Sequence, residues 1–203
     1  MAPWRVLGID EADEGAVRLN GKDVKNYDVK ELREKFGVVF QNDFLMAASV
    51  RENIDFERGL SDEVIERAAK IAMADGFIAV SESGYDTELT AQGANFSGGQ
   101  KQRLLIARAL AGGPEILVLD DSSSALDYKT DAALRKALAE NYPDTTIVMI
   151  AQRISSVRFA DRILVLENGE TVGFDTDAEL MENCAVYRKI YRSQTGEEES
   201  DVR

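Results

Sequence analysis

The chain has 203 residues, of which 44% are hydrophobic and 30% charged, so it can bury a substantial core as a globular protein. Its formal net charge of -13 argues against a nucleic-acid partner, because binding to nucleic acid begins with phosphate neutralisation by clustered Lys and Arg. The single cysteine, Cys184, and the lack of histidine exclude an internal disulfide and a multi-cysteine metal site. No apolar run approaches the roughly 18 residues of a membrane span, and the first residues have no signal-peptide features, so we expect a soluble chain.

The first part of the sequence predicts a hairpin, a short helix and a buried strand. GAVRLNGKDV alternates apolar and polar residues up to Asn20-Gly21, which is a strand and turn signal. Asp28 then offers an N-cap for a short helix that we expect to end at Gly37. The run VVFQ, which ends at Gln41, predicts a buried strand.

A helical pattern follows between Ser61 and about Val80. Ser61 is the expected N-cap, and one face carries apolar side chains at Val64, Ala68, Ile71 and Ala72. We expect this segment to belong to a helical subdomain, about residues 61–112, that interrupts the strands.

The second half of the sequence alternates helices with apolar runs. A helix is predicted from about Ser97 to Ala111, where GGP ends it, and EILVLDD follows as a buried strand. TTIVMIAQ and RILVLENGE repeat that apolar pattern, and such alternation indicates an α/β fold with a parallel sheet covered on both faces. Without an internal repeat or linker, we expect one domain, residues 1–194, and a disordered charged tail, residues 195–203.

Two short runs could bind a phosphate and its cation. At Ser97-Gly98-Gly99 a loop becomes a helix, so unpaired N–H groups and the positive dipole end point outward, with the Gln100 amide close by. The alternative is a plain helix cap. Asp120 ends a buried strand, where a carboxylate can hold Mg²⁺, although Asp120 and Asp121 could instead only cap the next helix.

Three runs in this order and spacing, FSGGQKQR, ILVLDD and SSSALD, resemble the signature motif, Walker B strand and D-loop of an ATP-binding cassette (ABC) nucleotide-binding domain. The resemblance extends from about Gly15 to Gln194. VVFQND resembles the Q-loop, and IVMIAQRISSVRFADRILVLENGE resembles the switch region with the strand after it. The sequence is most similar to exporter cassettes, which implies a P-loop NTPase-like (RecA-like) fold with a mainly parallel sheet, an inserted helical subdomain and some antiparallel strand.

The resemblance implies a division of labour across a dimer, in which the signature of one cassette closes over the γ-phosphate of ATP held by the other. Ser97, Gly98, Gly99 and Gln100 would then act in trans, and Asp127 in the D-loop would cross the dimer interface. Gln41 and Asp120 would hold Mg²⁺ in this chain's own site. The implied partners are a second nucleotide-binding domain and transmembrane domains supplied elsewhere, at the cytoplasmic face of the cell membrane.

The sequence departs from the family at the phosphate-wrapping P-loop, because the motif G-x-x-x-x-G-K-[ST] does not occur in it. The nearest candidate, Gly21-Lys22, is followed by Asp23 and has Ala16 where the first glycine belongs. By the resemblance, the P-loop would lie before Met1 and the sheet would be incomplete at its N-terminal side. We therefore expect the chain alone to bind ATP weakly and to hydrolyse none.

Two catalytic positions also differ: Asp121 stands where cassettes usually place a glutamate base, and Gln152 where they place the switch histidine. The shorter aspartate would hold its carboxylate roughly 1.5 Å farther from the attacking water, and a misplacement of about 1 Å can cost on the order of 10²-fold in rate. Together with an intact SGGQ, this resembles the degenerate member of a heterodimeric exporter. Harmless drift in a symmetric dimer is the alternative.

Two other classes of function stay open. Chromosome-organising and DNA-repair ATPases also carry SGG signatures, but they have long coiled coils or basic DNA-facing surfaces, and this sequence has neither sustained heptads nor net positive charge. The other class is non-enzymatic, in which the chain is a truncated or regulatory remnant.

Overall fold

A computed structural model describes residues 14–90, 93–122 and 124–196. These residues form two compact units that divide after Ile150. The expectations for the first 13 residues, for Ser123 within SSSALD and for tail residues 197–203 lie outside the described residues. In the described part of the chain, no helix combines the length and the apolar character needed to cross a bilayer.

The first unit begins with the expected hairpin. Strands β1 (Arg18–Leu19) and β2 (Lys22–Asp23) pair antiparallel, and the two turn residues Asn20 and Gly21 have φ values of 50° and 80°. Positive φ at both positions is the conformation that an Asn-Gly turn favours. Helix α1 (Val29–Glu34) follows, and the Asp28 carboxylate caps it by accepting from the N–H groups of Lys30 and Glu31.

The prediction that α1 ends at Gly37 is wrong, because Gly37 lies inside strand β3 (Phe36–Val39). A Cβ atom at Gly37 would stand 2.7 Å from the main-chain oxygen of Ala109 and 3.0 Å from a ring carbon of Pro114. The glycine therefore allows the strand to approach the backbone at the end of another helix, and it does not terminate a helix.

In the described part of the segment between β3 and β4 lie the α-helices α2 (Val50–Asp55), α3 (Asp62–Ile71), α4 (Asp75–Ala79) and α5 (Gly98–Ala111). The helical pattern predicted from Ser61 to about Val80 corresponds to two helices, α3 and α4, which separate at Met73, a residue with φ of 58°. Val64 was assigned to the buried face but is 38% exposed. Ala68, Ile71 and Ala72 are buried as expected, and Ile65 and Ala69 are buried with them.

Strands β4 (Ile116–Asp120) and β5 (Thr146–Ile150) flank helix α6 (Tyr128–Asn141) in the sequence and complete the sheet of the first unit. The order is β3-β4-β5 and both pairings are parallel, which confirms the mainly parallel sheet. Val39 pairs with Leu119, and Asp120 with Ile150, so the three strands end at one edge. The residues Ile147, Val148 and Ile150 of β5 are 37%, 44% and 38% exposed. This strand is therefore less buried than we expected for a sheet covered on both faces.

The second unit contains α7 (Ile154–Val157), β6 (Ile163–Glu167), β7 (Glu170–Asp175), α8 (Asp177–Asn183) and α9 (Ala185–Thr195). RILVLENGE does not continue the parallel pattern: β6 pairs antiparallel with β7 across Asn168-Gly169, which have φ values of 50° and 83°. The Asn-Gly dipeptide fits that two-residue turn, and the hairpin supplies the antiparallel strands of the expected fold. The core of the second unit contains Ile154, Ile163, Val165, Leu180, Cys184 and Tyr187.

Candidate functional site

Two aspartates stand where β4 ends. Asp120 is the last residue of the strand, and Asp121 follows with a left-handed φ of 49°. The Asp121 N–H donates to the Ile150 carbonyl at 2.8 Å, and the Asp121 carbonyl accepts from the Ser124 hydroxyl at 2.9 Å. These main-chain bonds hold the unusual conformation and fix where the Asp121 side chain leaves the sheet edge.

Gln41 joins this pair from the neighbouring strand. It lies two residues beyond the end of β3, is exposed, and donates from Nε2 to Oδ2 of Asp121 at 3.4 Å. Since β3 and β4 run parallel, their carboxyl ends bring the two side chains to the same edge. The structure therefore places three of the predicted site residues together, namely Gln41, Asp120 and Asp121.

The electrostatics of this edge suit a bound cation. Partial burial, and next the adjacent negative charge of Asp121, raise the pKa of the Asp120 carboxyl. A divalent cation would offset both effects, and the carboxylate of Asp120 and the amide oxygen of Gln41 are the hard oxygen donors that Mg²⁺ prefers. Among the described residues, no group of three or more acidic or sulfur ligands is placed to hold a metal ion. Asp120 and Gln41 would thus supply part of the coordination shell of a magnesium ion.

The SGGQ run begins helix α5, which has 14 residues. Ser97 is its N-cap: the Ser97 hydroxyl oxygen accepts from the Gln100 N–H at 3.3 Å, and Oε1 of Gln100 accepts from the Ser97 N–H at 2.8 Å. The helix cap that we considered as an alternative is therefore present. It does not exclude an anion site, because the Ser97 hydroxyl accepts in this bond and keeps its own proton for a ligand.

The two glycines of this run have different surroundings. A Cβ atom at Gly98 would meet nothing within 4 Å, whereas one at Gly99 would lie 2.9 Å from the Ala125 carbonyl oxygen. Gly98 thus leaves the helix end open to an approaching group, and Gly99 lets α5 pack on the loop that precedes α6. Only the first of these functions was expected from the sequence.

Asp127 is the N-cap of α6. Its carboxylate accepts from the Thr130 hydroxyl at 2.6 Å and from the Thr130 N–H at 2.9 Å, and these bonds lower the pKa of Asp127. The residue predicted to cross a dimer interface therefore has a local role within its own loop. It lies two residues after Ala125, so the same loop contacts Gly99 and carries Asp127.

Sequence reasoning missed Arg103, which fixes the start of α5. Its Nε donates to the Gly99 carbonyl at 3.1 Å, and its Nη1 donates to the Met73 carbonyl at 2.7 Å. The guanidinium also lies over the Phe77 ring, 4.8 Å from the ring centre. These contacts join α5, called the signature helix because it begins with the SGGQ run, to the turn between α3 and α4. Nothing in the periodicity of the sequence distinguishes this arginine from one on the surface.

Arg108 was missed as well, and it ties α5 to the segment after Gln41. Its Nε and Nη2 donate to the carbonyl and side-chain oxygens of Asn53, both at 2.8 Å, and its Nη1 donates to the Phe44 carbonyl at 3.0 Å. Asn53 is fully buried and donates in turn to the carbonyls of Met46 and Ser49. Burial lowers the pKa of the Arg108 guanidinium, and the negative charge of Asp43, 4.0 Å away, opposes that shift.

Gln152 belongs to the second unit and is described with it. The residue is exposed, and its main-chain carbonyl accepts from Nε2 of Gln194 at 2.7 Å. The strand that precedes Gln152 in the sequence, β5, ends at Ile150 beside Asp120.

Comparison with known proteins supports the family resemblance found in the sequence. A family model described as ABC transporter matches residues 5–124. The chain is 41% identical over 189 residues to an ATP-dependent lipid A-core flippase of Vibrio vulnificus. The aligned region covers 92% of this chain and 32% of the flippase. It is 42% identical over 182 residues to an uncharacterized ABC transporter ATP-binding protein of Bacillus subtilis, with coverages of 89% and 31%.

A solved structure of a bacterial Atm1-family ABC exporter with ATP bound matches with a TM-score of 0.91 at 32% sequence identity, over 96% of this chain and 34% of that one. The chain thus spans about a third of the length of these relatives. The motifs, the fold and the family match together show that the chain belongs to the ABC transporter family and has the fold of an exporter's ATP-binding cassette.

Proposed function

We propose that the chain is the ATP-binding and ATP-hydrolysing cassette of an exporter-type transporter, and that it contributes Ser97–Gln100 in trans to the ATP site of a partner cassette. The open surface at Gly98 carries this proposal. At that point a 14-residue helix presents its N-terminal N–H groups and the exposed Ser97, and among the described residues a Cβ atom at Gly98 would meet nothing within 4 Å. A γ-phosphate held by a second cassette has the charge and size for this surface.

The chain's own site is the edge formed by Gln41, Asp120 and Asp121. Asp120 and Gln41 would hold Mg²⁺, which when bound neutralises the charge that develops on transferring phosphoryl oxygens. Asp121 occupies the position of the base and contacts the Gln41 amide at 3.4 Å. The shorter side chain of Asp121 slows hydrolysis at this edge, and Gln152, at the switch position by sequence, supplies no titratable proton. The cassette is then the weaker member of a heterodimer.

Coupling to transmembrane domains is the second part of the proposal. The segment from Asp43 to Asn53 is held to the signature helix by Arg108, while its Phe44 side chain is 63% exposed. A displacement of α5 on dimer closure would therefore reach this segment through Arg108. The segment would transmit closure to membrane helices at the cytoplasmic face of the cell membrane.

Photoaffinity labelling tests the trans role directly. The transporter is assembled with its partner cassette and irradiated with an ATP analogue that carries a photoreactive group on the γ-phosphate. We expect the label on the peptide of this chain that contains Ser97–Gln100, and we expect its loss when the partner's P-loop lysine is replaced by alanine. A label confined to the partner, or one that survives this lysine substitution, would overturn the proposal.

A further inference from the structure

Helix α9 is anchored to the core of the second unit by one face. Tyr187 is 2% exposed and its hydroxyl donates to Oδ1 of Asp177 at 2.6 Å. Ile190 and Tyr191, three and four residues later, pack partly buried against the same core. Gln194 follows Tyr187 by seven residues and so lies on this face, one turn beyond the packed residues. The anchored helix thereby determines where the Gln194 amide is held.

The Gln194 amide bonds to the main chain on both sides of Arg153. Its Nε2 donates to the Gln152 carbonyl at 2.7 Å, and its Oε1 accepts from the Ile154 N–H at 2.9 Å. Ile154 is the first residue of α7, where N–H groups have no acceptor within the helix, and the N-cap residue Arg153 supplies no side-chain cap. Gln194 therefore takes the place of a capping residue from a position 40 residues away in the sequence.

The amide is suited to this task because it offers one donor and one acceptor at a fixed separation. A cavity of about 480 Å³ adjoins Gln152, Ser155 and Gln194. The main chain at residues 152–154 consequently has space to shift once the two bonds are lost. The anchoring of α9 itself rests on Tyr187 and the apolar core, so it does not depend on Gln194.

We propose that Gln194 is a positioning residue, which holds the main chain at Gln152 and Ile154 and so sets the direction in which the Gln152 side chain points. The inference rests on the proposed function, since Gln152 serves a nucleotide only within an ATP site. The positioning role also connects helix α9 to the switch position: a change in the position of α9 would move Gln152. No contact between Gln194 and nucleotide is required.

The two hydrogen bonds of the Gln194 amide to the main chain of Gln152 and Ile154 are called the Gln194 tether. Hydrogen exchange measured by mass spectrometry tests this tether without any need for ATP hydrolysis. In the full protein, Gln194→Met keeps the length of the side chain but removes both bonds, and Lys189→Met is a matched change at an exposed position of the same helix. We expect amide exchange in residues 151–157 to become about tenfold faster in Gln194→Met only, with the β6–β7 hairpin unchanged in both variants. Unchanged exchange at residues 151–157, or an equal increase in the hairpin, would overturn the inference.

A second measurement asks whether the tether matters for chemistry. In a full-length version that carries a P-loop, Asp121→Glu combined with Gln152→His restores the usual catalytic residues, and under the proposed function this pair raises ATP hydrolysis by the assembled transporter. Adding Gln194→Met should abolish that gain in kcat and leave KM for ATP within about twofold, because position and not nucleotide affinity is lost. A gain that persists would overturn the positioning role. If the pair itself brings no gain, the proposed function fails instead, and the exchange result alone decides the tether.

Discussion

Gly99 approaches the main-chain carbonyl of Ala125 so closely that a Cβ atom on Gly99 would stand 2.9 Å from the oxygen. The contact joins the first turn of the signature helix to the loop that carries Asp127. Neither partner in the contact is a flexible side-chain end, so one of two main-chain segments must move if a Cβ is added. The neighbouring Gly98 has no such contact, which gives a matched pair of substitutions.

We predict that Gly99→Ala destabilises the protein and that Gly98→Ala does not. The clash at Gly99 should cost about 1–3 kcal/mol, as other insertions of a methyl group into packed regions do. Gly98→Ala should lie within about 0.5 kcal/mol of the parent or be slightly stabilising, because alanine is the better helix former and the space is open. Urea unfolding of both variants measures the difference, and equal stabilities would show that the helix does not pack on Ala125 in solution.

Arg108→Met should lower the free energy of unfolding by about 2–4 kcal/mol. The substitution keeps an apolar stem but removes the donors to the Phe44 and Asn53 carbonyls and to the buried side-chain oxygen of Asn53. The control is Lys136→Met on α6, where a 77% exposed side chain makes only a surface ion pair with Glu140 at 3.8 Å. That change should stay within about 0.5 kcal/mol. Similar losses for the two variants would mean that Arg108 is not a structural link.

The parts of the fold that can be predicted from the sequence are those set by interactions between residues close together in the sequence. Asn20-Gly21, Asp28 and Ser97 were placed correctly because turns and caps are decided by residues within three or four positions. The strand position of Gly37 and the helix break at Met73 were not predicted. Gly37 lies against the backbone of Ala109, and the Met73 carbonyl accepts from Arg103, so both depend on residues distant in the sequence.

The candidate site divides in the same way. The order of FSGGQ, Asp120 and Asp121 along a strand-helix pattern predicts their chemistry, and parallel pairing explains why Gln41 reaches Asp121. The roles of Arg103 and Arg108 could not be predicted. Each donates to at least one main-chain oxygen 30 or more residues away in sequence, and no periodicity encodes such a partner.

The cap at Asp127 predicts a specific pH dependence. Hydrogen bonds from the Thr130 hydroxyl and N–H lower the pKa of Asp127 below its usual value of 3.8. The stabilisation that the carboxylate gives is therefore fully present above that value and is lost as the pH falls through the lower pKa of the folded protein. Asp127→Asn keeps a capping oxygen but does not titrate.

The advantage of the parent over Asp127→Asn should thus be larger at pH 6 than at pH 3. Urea unfolding at the two pH values measures it, with Asp144→Asn, at an exposed loop position, as the control. A stability difference between parent and Asp127→Asn that does not change with pH would show that Thr130 leaves the acid unperturbed.

The 203-residue chain by itself should bind Mg-ATP weakly and release no measurable phosphate. Its sequence lacks the motif whose backbone amides and lysine hold the β- and γ-phosphates, and Gln41, Asp120 and Ser97 cannot replace them. Calorimetric titration of the isolated chain is the measurement. Micromolar affinity would show that a phosphate site of another kind exists in this sequence.

Substitutions at Ser97 and Asp121 separate the trans role of the signature from the cis role of the sheet edge. In a full-length version that carries a P-loop and is paired with a partner cassette that has its glutamate and histidine, Ser97→Arg places a bulky cation at the open Gly98 surface. Hydrolysis by the partner's site should then nearly vanish, because the phosphate can no longer approach the helix end.

Asp121→Asn should reduce the total rate much less, since the site that Asp121 serves is already slow and its loss removes only a minor contribution. Asp121→Glu should leave the rate unchanged or raise it, depending on how far Gln152 limits the second site. Steady-state phosphate release from the three variants is the test. Equal and nearly complete losses for Ser97→Arg and Asp121→Asn would identify Asp121 as a working base, and the two cassettes would then be catalytic equals.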